Sequence, residues 1–278
     1  MVDQHPLVSV IVPTFNNQLT IAACLESIRS QTYGDLEVIV VDNFSTDLTS
    51  AIASRYEDKV ILHGSERCEQ ANFGVSIANG EFVLRMDADL VLDSSVIEEC
   101  VETALNGCDA VEVHNSPDPE ISWIARARRF EYDLLRGDTR RISARFVKRD
   151  LYLAVGGLDP SLIAGEDYDF QNRLDRRGAK VGFIKAQAIS ISEPTSIVRM
   201  IRKHFRYGRQ SVQFRKVTDR SKAGQLDVNS ILQKLYLRKW RKYVEDPVSA
   251  FLFLVYFVIK VAAGGSGYLY ETLIRQAS

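Results

Sequence analysis

"LEVIVVDNFSTDLTSAIASRY", residues 36–56, decides the fold class. Leu36 to Val41, with Glu37 its one polar member, is too aliphatic for a strand with one wet face, so it reads as a strand buried on both sides. Asp42 and Asn43 end it with side chains that favour turns, and from about Thr46 to Tyr56 the pattern is helical. The unit recurs along the chain. "LVSVIV" (7–12), "KVILH" (59–63), "EFVLRM" (81–86) and "DAVEVH" (109–114) read as further strands. Between them, "LTIAACLESIRSQ" places Ile21, Leu25 and Ile28 at helix spacing, "EQANFGVSIANG" reads as a helix stopped by Gly80, and "SSVIEECVETALNG" as one capped by Ser94. The expected fold is therefore α/β, with a mostly parallel central sheet flanked by helices and a helical C-terminal segment.

In such sheets ligands sit beyond the carboxyl ends of the strands. Pro13, Thr14, Phe15, Asn16 and Asn17 follow the first strand, Asp42 and Asn43 the second, and Asp87 and Asp89 the fourth. No G-x-G-x-x-G or Walker loop is present, so a phosphate ligand would need its charge neutralised otherwise. A divalent cation on carboxylate oxygens suits that task. Taken alone, "DAD" reads equally as a solvated turn leading into a helix, and Asp42 equally as an Asx turn capping Ser45 to Asp47.

With 278 residues, 46% hydrophobic and 26% charged, the chain has the composition of a folded protein large enough for one domain with an appendage. Its net charge of −1 hides an asymmetry. Glu193 to Tyr243 holds 14 Lys+Arg against 3 Asp+Glu, while the remainder holds 21 against 33. Cys24, Cys68, Cys100 and Cys108 have no metal-ligand or paired spacing and read as small buried residues in a reducing, cytoplasmic setting. "MVDQHPLVSVIVP" places Asp3 where an export signal wants a cation and breaks its apolar run at Pro13, so no signal is read.

Four ordered stretches, "VSVIVPTFNN", "LEVIVVDNFSTD", Arg67 ahead of "ANFGVSIANGEFVLRMDAD", and "VGGLDPSLIAGEDYDFQNRLDRRG", resemble the family-2 inverting glycosyltransferases over residues 7 to 190. The resemblance implies a nucleotide-sugar-binding fold of the GT-A type. It assigns the donor to Pro13, Thr14, Phe15, Asn16, Asp42, Asn43, Arg67, Asp87 and Arg173, with His204 and Arg206 closing on the diphosphate. Asp89, with Asp87, would hold Mn²⁺ or Mg²⁺. Asp167 would be the base that deprotonates the acceptor, with Glu166 in support. Asp169 is expected to pair with Arg173 or to cap its helix. The site of the Q-x-x-R-W motif of processive synthases reads "QNRL", so one sugar is expected per event. Residues 1–193 form the expected catalytic domain, with a nucleotide-sugar half (1–115) and an acceptor and base half (116–193). Within the latter, a helix bearing Trp123, Phe130 and Tyr132 is the pointer to the acceptor.

Residues 194–278 read as a basic and hydrophobic helical tail. "SIVRMIRKHFRYGRQSVQFRK" interleaves cations with apolar residues, and Val248 to Ile259 is uncharged before Lys260 and Gly264, Gly265 and Gly267 interrupt it. The pattern suits a helix lying on an anionic membrane surface, or a packed or homo-oligomer helix. A membrane surface through 196–270 implies a glycan or polyprenyl-linked acceptor, at the cytoplasmic face. With an acidic remainder and no nucleic-acid motif, nucleic acid is not an expected partner. Two rival functions remain: a sugar nucleotidyltransferase, against which "PTFNNQLT" lacks a Gly-rich, Lys-bearing loop, and a non-catalytic nucleotide-sugar-binding membrane protein.

Overall fold

The computed structural model describes residues 5–57, 59–136, 143–162, 165–217 and 239–277. The chain divides into two compact units: residues 1–115, 141–161 and 166–192 form one, residues 116–140, 162–165 and 193–278 the other.

The first unit is built on an eight-stranded sheet. In chain order its elements are β1 (Val8–Thr14), α1 (Ile21–Arg29), β2 (Leu36–Asp42), α2 (Thr49–Ala53), β3 (Val60–Leu62), α3 (Arg67–Ser76), β4 (Phe82–Arg85), β5 (Leu90–Leu92), α4 (Val96–Leu105) and β6 (Ala110–Pro117). After α5 (Trp123–Leu135), which belongs to the second unit, come β7 (Phe146–Lys148), α6 (Arg149–Ala154), α7 (Glu166–Arg176) and β8 (Val181–Ser190). The strand order is β3-β2-β1-β4-β7-β6-β8-β5. Successive residues of the inner strands feed opposite layers, as the pleat requires. Val10, Val12 and Val40 pack towards α1 and α4, while Ile11, Ile39 and Val41 pack towards α3 and the α6–α7 side.

The expected mostly parallel sheet is confined to β3, β2, β1 and β4. β7 runs antiparallel to both β4 and β6, and β5 antiparallel to β8, so the sheet is mixed. Two local readings also change. Gly80 does not stop α3, which ends at Ser76 with Ile77 as cap. Gly80 lies against β1 instead, its N–H donating to Ser9 Oγ at 2.8 Å, and a Cβ there would come within 2.6 Å of the Ser9 nitrogen. At the start of α4 the cap position is Ser95, whose hydroxyl turns to Glu99.

The second unit holds α5, α8 (Ile197–Val217), α9 (Trp240–Glu245) and α10 (Pro247–Ala277). Ile124, Phe130, Met200, Phe253 and Tyr256 are its core. α5 begins where Ser122 Oγ accepts from Ala125 N at 3.1 Å, an N-cap that satisfies one orphan donor. Residues 137–142 and 218–238, parts of the expected acceptor segment and basic tail, lie outside the described residues, as do residues 163–164 of the "LIAGEDYDF" stretch.

Candidate active site

The parallel register sets Thr14 opposite Asp42, so the loops after β1 and β2 leave the sheet side by side. Pro13 lacks an N–H, and it is tolerated in an inner strand because the β1–β4 pairing ends at Ile11 opposite Arg85. The two loops are tied by cross-links. Asn16 N–H donates to Ser45 Oγ (2.8 Å), Thr46 N–H donates to Asn16 Oδ1 (2.9 Å), and Asn17 N–H donates to Thr49 Oγ1 (2.7 Å). Gln70, buried on α3, fastens both strand ends through Nε2 to the carbonyls of Thr14 and Val41. These bonds hold Asn16 at φ 53° and Phe44 at φ 51°, a region bulky residues avoid, and they leave the Phe15 and Phe44 rings exposed.

Asp42 is fully buried and caps the turn that follows, bonding three residues on. Its Oδ1 accepts from Ser45 Oγ at 2.5 Å and its Oδ2 from Ser45 N at 3.2 Å. Asp47 accepts likewise from Thr49, two residues on, and Asn43 Nδ2 donates to the carbonyl of Ser65 at 3.0 Å.

Arg67, Arg85, Asp87, Arg145 and Asp167 line one hollow beside Pro13. Asp87 follows β4, and each of its oxygens is held by a guanidinium: Arg67 Nη1 donates to Oδ1 at 3.3 Å and Arg145 Nη2 to Oδ2 at 2.9 Å. Burial alone would raise the Asp87 carboxyl, but Arg145 and Arg67 outweigh it and hold the group well below the carboxylate range. Arg67 also pairs with the buried Glu166. Arg85, itself buried, donates from Nη1 and Nη2 to Asp167 Oδ1 at 3.3 and 3.2 Å and from Nη2 to the carbonyl of Ala144 at 3.1 Å. Its guanidinium lies 5.1 Å from the centre of the Phe170 ring. For Asp167 too, burial is outweighed by Arg85, Arg145 and Arg67, and its carboxyl is lowered.

The expected site is thus partly assembled. Asp87, Asp167, Arg67 and Pro13 meet at the hollow, with Glu166 joined through Arg67. Arg173 is turned elsewhere: its Nε donates to Asp169 at 2.8 Å and its Nη1 to the carbonyl of Val155 at 2.5 Å. The donor contact expected of Arg173 gives way to that fastening, because Asp169 lies one turn before it on α7. His204 and Arg206 belong to the second unit, where His204 Nε2 lies 3.1 Å from the Tyr256 hydroxyl and Arg206 is exposed. Arg85 and Arg145 were missed. Their signal was a charged residue inside "FVLRM" and another in "SARFV", each within an otherwise buried strand.

For a divalent cation the donor chemistry fits. Asp87 and Asp89 offer oxygen only, the ligand type that Mg²⁺ and Mn²⁺ take together with substrate phosphates. Among the described residues no group of three or more His, Cys, Asp or Glu side chains is placed to hold a metal ion.

A curled mixed sheet with polar loops at its parallel carboxyl ends is the α/β architecture of the GT-A type of glycosyltransferase. The chain belongs to glycosyl transferase family 2, whose model matches residues 9–152, more than half of its length. The glycosyltransferase GlyG of Streptococcus pneumoniae is 33% identical over 99 residues, 33% of this chain and 33% of that protein. The GalNAc(5)-diNAcBac-PP-undecaprenol beta-1,3-glucosyltransferase of Campylobacter jejuni is 34% identical over 110 residues, 37% of this chain and 36% of that protein. The chain thus spans about a third of the length of these relatives. Among solved structures, the mannosyltransferase PcManGT from Pyrobaculum calidifontis, in complex with GDP-Man and Mn²⁺, superposes with a TM-score of 0.65 at 17% identity. That match covers 97% of this chain and 88% of that one and attests the fold.

Proposed function

We propose that the protein transfers a single sugar from a UDP- or GDP-linked donor to a hydroxyl or phosphate acceptor, with inversion at the anomeric carbon. The observation that carries the reading is the convergence of Asp87 and Asp167, from β4 and α7, on one hollow at the carboxyl end of β4. Phe15, Asn16 and Asn43 stand on the loops that would receive the nucleoside, with Thr14 and Asp42 shaping the loop bases. Asp167 is the base. One of its oxygens is anchored on Arg85, and the ionised form that Arg85 favours is the form able to accept the acceptor proton. Asp89, the last carboxylate of the Asp-Ala-Asp triplet, is the preferred metal ligand, with Asp87, whose oxygens accept from Arg67 and Arg145, facing the ribose or a metal-bound water. Bound there, Mn²⁺ or Mg²⁺ would supply Lewis-acid stabilisation of the leaving diphosphate. Arg67 and Arg145 add fixed positive charge on the same side, and Glu166 holds Arg67 in place.

A lipid-linked acceptor is supported by the Campylobacter relative, whose name specifies an undecaprenol diphosphate substrate. It is supported also by the helix Pro247–Ile274, which holds an 18-residue window of mean hydropathy 2.0. Residues 1–193 carry the chemistry in this reading and residues 194–278 bring it to the cytoplasmic membrane surface. The test is a transfer assay with Mn²⁺, UDP- and GDP-sugars and a polyprenyl-phosphate or glycan acceptor. Turnover by wild type, lost in Asp167→Asn with nucleotide binding retained, is expected; full turnover by Asp167→Asn overturns the assignment.

A further inference from the structure

α10 is built the opposite way from a surface helix of a water-soluble domain. Between Val248 and Ile274 it has two charged residues, Lys260 and Glu271, and both lie on the side packed against the rest of the second unit. Lys260 Nζ is 2.7 Å from Glu131 Oε1 on α5, and Glu271 is 2.8 Å from Arg209 Nε on α8. Ser249, Ala250, Phe253, Tyr256 and Ala263 complete that packed side. The outer side carries no charge. Val248, Phe251, Val255, Val258, Leu269 and Leu273 are all exposed, Phe251 at 65% and Val258 at 66%. At 100° per residue they fall on one stripe, with Ala262 and Gly265 filling its middle. At 1.5 Å per residue the stripe runs roughly 38 Å.

Backbone packing reinforces the pattern. A Cβ on Gly208 would stand 2.0 Å from the carbonyl oxygen of Gly264, and one on Gly267 would stand 2.1 Å from that of Phe205. Small residues that let two helices touch along their backbones are the interface chemistry of helices in lipid, where polar side chains turn inward and apolar ones outward.

The neighbouring helix decides what covers the stripe. α8 exposes Arg199, Arg202, Arg206 and Arg209 and carries no acid between Ile197 and Ser211. Those cations would not enter hydrocarbon with α10, which argues against the pair crossing a bilayer. A second copy of this face would bring the same cations against one another. An anionic lipid surface satisfies both features, taking the stripe into its acyl boundary and the arginines at its headgroups. Trp240, exposed on α9, has the amphipathic ring found at that boundary. We infer that α8 and α10 form a monotopic docking face for an anionic bilayer, with α10 lying in the membrane plane. The inference deepens the membrane placement proposed above, rests on the second unit's own surface, and stands whatever acceptor the first unit uses.

Full-length protein, purified without detergent, is mixed with vesicles of phosphatidylcholine alone or with phosphatidylglycerol, and bound protein is separated by flotation. Binding to the anionic vesicles, weakened by salt, is expected. Each of Arg199→Gln, Arg202→Gln and Arg206→Gln should weaken it about five-fold. Phe251→Asp with Val258→Asp should weaken it on the order of a hundred-fold. The milder Phe251→Ser serves where the double variant fails to fold. Donor hydrolysis by the same samples reads the first unit separately, so a failed transferase assignment would leave the flotation result untouched. A monodisperse protein that ignores anionic vesicles overturns the inference. So does a dimer that Phe251→Ser dissociates, or a protein that leaves membranes only in detergent.

Discussion

Arg85→Met is the perturbation that bears hardest on the proposed chemistry. Arg85 is buried and makes two charge-assisted contacts to Asp167 Oδ1 and one to the carbonyl of Ala144, with Phe170 against its face. Methionine keeps much of the stem packing and removes the cation. Breaking a buried ion pair costs ~3–5 kcal/mol. The Asp167 side chain is 38% exposed and can regain water, so the loss here should be nearer ~1–3 kcal/mol. The more telling effect is on proton affinity. An opposite charge at this range lowers a carboxyl pKa by ~1–3 units. Arg145 and Arg67 also hold Asp167 down and remain in the variant, so its carboxyl should rise by only the part that Arg85 held down. The base is inactive when protonated, so the acid limb of kcat/KM should move to higher pH by that amount, while the plateau rate at high pH recovers in part. Arg85→Lys should shift the limb less. Rates of sugar transfer at saturating Mn²⁺ between pH 4.5 and 9, beside urea melts of each variant, check this. A folded Arg85→Met protein whose acid limb coincides with wild type would refute the coupling of Arg85 to the base.

Asp87 has a depressed pKa in the fold, so the stability it contributes is complete above the unfolded value near ~3.9 and is lost as pH falls towards its folded pKa. Asp87→Asn should therefore lower stability at pH 7 and lose most of that difference in strong acid, as read by urea melts. His204 is pushed down to about 4, by burial first and then by Lys260 and Arg128, and is neutral in the folded state. Its unfolded form takes up a proton first, so stability should decline as pH drops from ~6.5 towards 4, and His204→Gln should flatten that decline in thermal melts. Gly208→Ala, whose Cβ meets backbone, should cost ~1–3 kcal/mol, whereas Gly265→Ala, with nothing within 4 Å, should be neutral or stabilise by ~0.5–1 kcal/mol. Chelation should abolish transfer and Mn²⁺ restore it, with nucleotide protection in thermal shift lost in Asp89→Ala.

The parallel half of the sheet was legible because each of its strands is a run dominated by apolar residues and leads into a polar turn. β7 and β5, three residues each, and β8, whose positions Phe183 and Lys185 are exposed, carry no such run, so the antiparallel half was not foreseen. The Asp169–Arg173 pair followed from i,i+4 spacing on α7. Asp87 and Asp167 were read from motif order, but their partners were not. Arg85 and Arg145 are 60 positions apart, and a buried guanidinium in a strand announces only that some carboxylate must face it. Lys260 misled in the other direction. As a sequence feature it interrupts an apolar run, yet paired with Glu131 it leaves the outer stripe of α10 unbroken.

The diametric division of α10 also limits how this chain can change in length. Adding one residue early in the helix would turn everything beyond it by ~100°. Lys260 and Glu271 would swing away from Glu131 and Arg209, and the glycine seam would lose its place against α8. Adding seven residues turns the helix by only ~20° short of two full turns and keeps the phase. Homologues that keep this helix pair should accordingly gain or lose residues here in steps near seven or eleven.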